Sequence, residues 1–106
     1  MNRTLIVAKI RPGAEREVAR IFAESDAGPL PVEAGVAERS LYSLHDLYIH
    51  LVEFAGDPAE SVAAVQGHPD FRRISARLSE YVSAYDPDRW RSPRDAMARR
   101  FYHWAP

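Results

Sequence analysis

An α+β fold, with helices packed on one face of an antiparallel sheet, is what this sequence predicts, and three observations predict it. Hydrophobic periodicity alternates along the chain between two residues and about 3.6, in the order strand, helix, strand, strand, helix, strand. The run from Arg39 to Phe54 holds two β-patterned halves around a tight polar break at His45-Asp46, which reads as a hairpin. Finally, 106 residues with 46% hydrophobic and 10% aromatic content describe one globular domain.

Residues 4–10 are rich in β-branched and aliphatic types, and Pro12-Gly13 ends the run, so a central strand is expected there. From Ala14 the period changes. Ala14, Val18, Ile21, Phe22 and Ser25 share one helical stripe, with Glu15, Arg16, Glu17 and Arg20 opposite. The helix is predicted to run to about Glu24, with Asp26 just beyond its end. Gly28, Pro29 and Pro31 make 27–31 a linker. The hairpin follows, its first strand over 35–44. Alternation in the second strand places Asp46, Tyr48, His50 and Val52 on one face, and Leu47, Ile49, Leu51 and Glu53 on the other.

Asp57-Pro58 offers an N-cap and a first-turn proline for a helix over 59–66 that stops at Gly67. His68-Pro69-Asp70 starts another helix, with Phe71, Ile74, Leu78, Tyr81 and Val82 as its apolar positions. Residues 83–95, holding Pro87 and Pro93, read as an ordered loop anchored by Trp90. The aromatic, β-prone segment 98–104 reads as the last strand. This order is the ferredoxin-like βαββαβ arrangement. A domain this small buries only about two-thirds of its unfolded surface. A chamber for a large ligand is therefore expected to form by stacking a second copy on the open sheet face, as a dimeric α+β barrel-like assembly.

The net charge of −1 gives no reason to expect nucleic acid or a membrane surface as partner. The absence of cysteine excludes disulfides, thiol nucleophiles and thiolate metal sites. The first apolar run is too short for a signal peptide, and nothing approaches the roughly 20 apolar residues of a membrane span. A soluble cytoplasmic protein is expected. No glycine-rich phosphate loop and no compact histidine spacing occur, so nucleotide cofactors and metals have no support.

The residues that might carry chemistry each have a plainer alternative. His50 sits mid-strand beside Tyr48 and can act as acid or base near neutrality; otherwise it is a core histidine satisfied by a hydroxyl or backbone group. Asp26 lies where the helix dipole disfavours a negative charge, so it is either solvated or placed to accept a proton. Arg39 can steady a developing enolate or carboxylate oxygen, or it snorkels at a sheet edge. Ser25 has no neighbouring base and no nucleophile elbow. His45 and Asp46 fit turn chemistry, His68 fits a helix cap, and His103 is aimed either inward with Phe101 or outward.

Leu30-Pro-Val-Glu-Ala-Gly-Val36, His45-Asp-Leu-Tyr-Ile-His-Leu51, Gly67-His-Pro-Asp-Phe71 and Phe101-Tyr-His-Trp104 together resemble the tetracenomycin cyclase family of type II aromatic polyketide cyclases. The likeness runs from about residue 4 to residue 104, and 81–97 is most similar to members in spore-pigment gene clusters. The resemblance implies a ferredoxin-like homodimer working beside type II synthase subunits. Its pockets would accept a linear or partly cyclised poly-β-ketone, free or carrier-tethered, and close a ring by intramolecular aldol reaction with loss of water, using no metal or organic cofactor. The family's proposed pocket residues are a His-Asp pair after the first helix, an arginine in the second strand and a histidine in the third. Asp26, Arg39 and His50 match three of them as catalytic candidates. Ser25 stands where the family has its first histidine, and with Tyr48 it is expected to contact substrate.

A methylene between two carbonyls is already acidic, so the harder task is choosing which carbonyl it attacks. Holding one folded conformer supplies that orientation. Arg39 could then stabilise the enolate or alkoxide oxygen, His50 could shuttle protons and Asp26 could orient water. Two other functions stay open: a cofactor-independent oxygenase of similar architecture, which would need oxygen, and a non-catalytic module of a synthase complex, whose product pattern would not respond to pocket substitutions.

Overall fold

The computed structural model describes residues 2–91 and 93–106. Its sheet has the strand order β2-β3-β1-β4, built from β1 (Asn2–Ile10), β2 (Val36–Leu44), β3 (Leu47–Phe54) and β4 (Val82–Ala84). A two-residue β5 (Met97–Ala98) also pairs with β1. Every pairing is antiparallel. Helices α1 (Glu15–Asp26), α2 (Leu30–Ala34), α3 (Pro58–Val65) and α4 (Pro69–Leu78) complete an α+β fold.

The hairpin turn fixes the register on which everything else depends. His45 takes φ 54° at the turn, and Leu44 pairs with Leu47. Counting back, Leu41 faces His50 and Arg39 faces Val52. On the other side β1 sets Thr4 opposite Val52, Ile6 opposite His50 and Ala8 opposite Tyr48. Side-chain alternation therefore gathers Arg39, Leu41, Tyr48, His50, Val52, Ile6 and Ala8 on one face. Tyr48, His50, Val52 and Phe54 are buried there, whereas Leu47, Ile49, Leu51 and Glu53 are only half-buried on the other face. That partition agrees with the sequence pattern of β3.

Helix α1 closes the buried face through Val18, Ile21 and Phe22, which join Ala8, Ile10 and Tyr48 in one core with Val65 and Ile74. The predicted N-cap of α3 forms: Asp57 Oδ2 accepts from the Glu60 N–H at 3.0 Å. His68 caps α4, its Nδ1 accepting from the Asp70 N–H at 3.0 Å, while Nε2 lies 2.6 Å from Glu33 Oε2 and so ties α4 to α2.

Four sequence expectations are corrected. Residues 30–34 form a helix, although prolines argue for a linker. Pro29 occupies the N-cap and Pro31 the first turn, where a missing N–H leaves no intrahelical bond unmade, and Gly35 ends the turn at φ 74°. Helix α1 extends through Asp26, so Ser25 and Asp26 lie in its last turn rather than after it. Val82 leaves the helical stripe of α4 and pairs with Ile10 in β4, a strand that runs into the start of the predicted 83–95 loop; within that loop Ser92 lies outside the described residues.

The predicted last strand over 98–104 is reduced to Met97–Ala98, and 99–106 has no regular structure. Continuing the β5 register past Leu5–Ala98 would set Arg100 against Arg3, and like charges directly opposite oppose pairing. Phe101, Tyr102 and Trp104 are consequently exposed, and His103 points to no interior.

Candidate active site

Between the covered sheet face and the helices lies a cavity of about 500 Å³. That volume is in the roughly 300–1,000 Å³ range of small-molecule pockets. Its wall is mostly apolar, with Phe22, Leu30, Val65, Phe71, Ile74 and Trp90 contributing from α1, α2, α3, α4 and the loop after β4. The aromatic and aliphatic stripes of the helices supply that wall, because the same faces that bury against the sheet stand back from it here.

Arg39, Tyr48 and His50 form one polar cluster on this wall, with Ser25 nearby, and Ser75, Ser79 and Ser83 are further polar side chains that line it. Arg39 is a diagonal neighbour of His50 across the hairpin, within reach of a long side chain. Its guanidinium is held on three sides. Nε and Nη2 donate to Asp26 Oδ2 and Oδ1 at 3.0 and 2.8 Å, a bidentate fork. The Phe22 ring centroid lies 4.9 Å from Arg39 Cζ. Nη1 donates to His50 Nε2 at 3.0 Å. The His50 ring also meets Phe22 edge-on at 5.1 Å, and its Nδ1 lies 3.2 Å from the Tyr48 hydroxyl.

The electrostatics follow from this burial. Burial, and then the adjacent Arg39 charge, push His50 down to about 3, so the imidazole is neutral near pH 7. Burial pushes the Tyr48 phenol well above its usual value, with Arg39 offsetting part of the effect. Asp26, at the C-terminal end of α1 where the dipole opposes its charge, is held by the Arg39 fork instead.

The structure thus brings Asp26, Arg39, His50 and Tyr48 into one continuous hydrogen-bonded chain, and Ser25 lines the cavity. Asp26 itself is not part of the cavity wall; it touches the site through Arg39. Phe22 is the residue that sequence reasoning leaves out of the site. Its signal is present, since Phe22, Ser25 and Asp26 fall at i, i+3 and i+4 on one helix face. Among the described residues no group of three or more His, Cys, Asp or Glu side chains is placed to hold a metal ion. No helix among them is long and apolar enough to cross a membrane.

A hollow α+β domain whose apolar chamber holds one buried, arginine-anchored polar cluster is the architecture of a small-molecule enzyme or binding protein. Residues 2–105 match the family model described as polyketide synthesis cyclase, and the chain belongs to that family. The polyketide synthase CurG of Streptomyces cyaneus is 49% identical over 104 residues, covering 98% of this chain and 97% of its own length. Tetracenomycin F2 cyclase of Streptomyces glaucescens is 38% identical over 102 residues, covering 96% and 93%. An uncharacterised protein of Streptomyces coelicolor is 54% identical over 105 residues, covering 98% and 95%. Among solved structures, that of the tetracenomycin F2 cyclase, described as a type-II polyketide cyclase, superposes with a TM-score of 0.91 and 37% identity over 100% of this chain and 99% of that one.

Proposed function

We propose that this chain is an aromatic polyketide cyclase of type II polyketide biosynthesis. It takes a poly-β-ketone, free or carrier-tethered, and closes a ring by regiospecific intramolecular aldol addition followed by loss of water. The observation that carries this reading is the mostly apolar chamber with one arginine-anchored, hydrogen-bonded cluster on its wall. Apolar walls hold a flexible chain folded without competing for its carbonyls, and the cluster selects one oxygen to stabilise. Aldol closure and dehydration are redox-neutral, so the chemistry calls for no redox cofactor. Ser25 and Tyr48 contact substrate in this reading, and Arg39, paired with Asp26 and hydrogen-bonded to neutral His50, supplies the positive charge that serves the developing oxyanion.

The working form is a homodimer of ferredoxin-like units. Leu5, Tyr42 and Leu44 are exposed on the uncovered sheet face, beside half-buried Val7, Leu47, Ile49 and Leu51. A second copy stacked there would bury that apolar surface and close a barrel-like assembly.

The test is reconstitution. A minimal synthase, comprising a ketosynthase pair and an acyl carrier protein, generates the poly-β-ketone in situ with and without this protein, under anaerobic conditions and in air. A new, single ring pattern formed without oxygen is expected. An unchanged product mixture would sink the cyclase reading, and a product that appears only with oxygen would point to an oxygenase.

A further inference from the structure

The hydrogen bonds around His50 determine where its proton sits, and that in turn reassigns the chemistry of the cluster. A guanidinium can only donate, so the His50 Nε2 atom, 3.0 Å from Arg39 Nη1, offers its lone pair. A neutral imidazole with its lone pair on Nε2 carries its hydrogen on Nδ1. Nδ1 lies 3.2 Å from the Tyr48 hydroxyl, so Nδ1–H donates and the phenol oxygen accepts. The phenol's own hydrogen is then turned away from His50. Tyr48 lines the cavity, and among the described residues its hydroxyl has no further hydrogen-bond partner.

The opposite tautomer would set Nε2–H against an arginine N–H at 3.0 Å, two donors facing each other in a buried site. An imidazolium would create the same conflict and add a second positive charge. His50 therefore has neither a free lone pair nor a proton to give while Arg39 stays in place. Both carboxylate oxygens of Asp26 are likewise engaged by Arg39.

We propose that Tyr48 is the catalytic residue that hydrogen-bonds and protonates the reacting carbonyl oxygen of the polyketide, and that His50 is a positioning residue that aims the Tyr48 hydroxyl into the cavity. This rests on the cyclase reading and deepens it. In the closure, the methylene C–H bond breaks and its electron pair forms the new C–C bond to the carbonyl carbon. The π pair of that carbonyl moves to its oxygen, which takes the Tyr48 proton. The phenolate recovers the proton lost by the methylene, carried by water, so no proton is consumed. The raised phenol keeps Tyr48 protonated until an oxygen of alkoxide basicity forms.

Two substitutions separate this arrangement from one in which His50 is the base. Tyr48→Phe keeps the ring and removes the hydroxyl. His50→Asn keeps an N–H near the Nδ1 position and removes any titratable group. With the reconstituted synthase supplying poly-β-ketone, Y48F is expected to lower kcat about 100-fold while KM stays within about threefold. H50N is expected to stay within about tenfold of the unsubstituted protein. The reverse ranking, with H50N inactive and Y48F near normal, would overturn the proposal.

A substrate-free measurement covers the case in which a variant does not fold. ¹⁵N NMR of the unsubstituted protein, labelled at histidine, is expected to place the His50 proton on Nδ1 near neutral pH; a proton on Nε2 would overturn the assignment. Failure of the unsubstituted protein to cyclise would instead count against the cyclase reading, and the NMR result would still decide the orientation of the Tyr48 hydroxyl.

Discussion

The two faces of the sheet come from the same strands and differ in almost every physical respect. On the covered face, Tyr48, His50, Val52 and Phe54 lie under the helices, and polar groups there are desolvated and matched to one another. On the other face, Leu47, Ile49 and Leu51 alternate with them one residue out of phase, and no helix among the described residues covers them. A single period of two thus writes a desolvated, polar-bearing interior and an uncovered apolar exterior into one strand. The difference teaches that burial, rather than residue type, sets the electrostatic character of a side chain here. A histidine on the outer face would be an ordinary imidazole, whereas on the inner face burial and Arg39 push it down to about 3.

Breaking the inner face at its charged anchor has the largest expected effect. Arg39→Leu leaves Asp26 unpaired and His50 Nε2 without its donor, and the rate of ring closure is expected to fall about 10²–10³-fold in the reconstituted synthase assay. Arg39→Lys keeps the charge but not the fork, and should recover only part of that loss.

Shortening one side chain on each face sharpens the contrast. Val52 is 1% exposed and packed on the covered face, so Val52→Ala is expected to cost about 2–3 kcal/mol in urea unfolding at any protein concentration. Leu51, its neighbour on the outer face, should behave differently if a second copy covers it: the loss in Leu51→Ala would shrink as the protein is diluted toward monomer. A loss independent of concentration would count against the stacked dimer.

Acid should loosen the covered face through His50. His50 binds a proton in the unfolded chain near pH 6.5 but in the folded protein only near 3, so the unfolded state holds more protons between those values. Its contribution is fully present above about pH 6.5 and is lost as pH falls toward about 3. Between about pH 7 and about pH 5 the loss should be about 2 kcal/mol. Thermal unfolding of the unsubstituted protein and His50→Asn at both pH values checks this, since the variant should lack that part of the slope.

Most of this arrangement is legible before any coordinates are known. Alternation in 47–54 and a two-residue turn at His45-Asp46 suffice to put Arg39, Tyr48 and His50 on one face, because register in a tight hairpin follows from counting. The stripe of α1 likewise brings Phe22 and Ser25 together, whereas Asp26 joins them only because the helix runs on through it. What the sequence does not disclose depends on distance or on competition. The Arg39 contact that fixes the His50 tautomer is a matter of 3.0 Å, and no periodicity encodes it. Helix α2 hides behind prolines that act at its first turn instead of breaking it. The aromatic tail has the composition of a strand, but β-propensity needs a neighbouring strand to act on, and the register past β5 opposes one.

The cavity also bears on how the protein stays folded. Phe22, Tyr48, Val65 and Ile74 belong both to the hydrophobic core and to the cavity wall, so the place where a domain of this size would be solid is hollow. A molecule bound there would complete the interior. Whatever fills the chamber adds the contacts that the chain lacks, and mass action converts occupancy into cohesion, about 2.7 kcal/mol at a hundredfold excess over Kd. Resistance to heat in the presence of candidate molecules thereby becomes a direct reading of which shapes the chamber accepts.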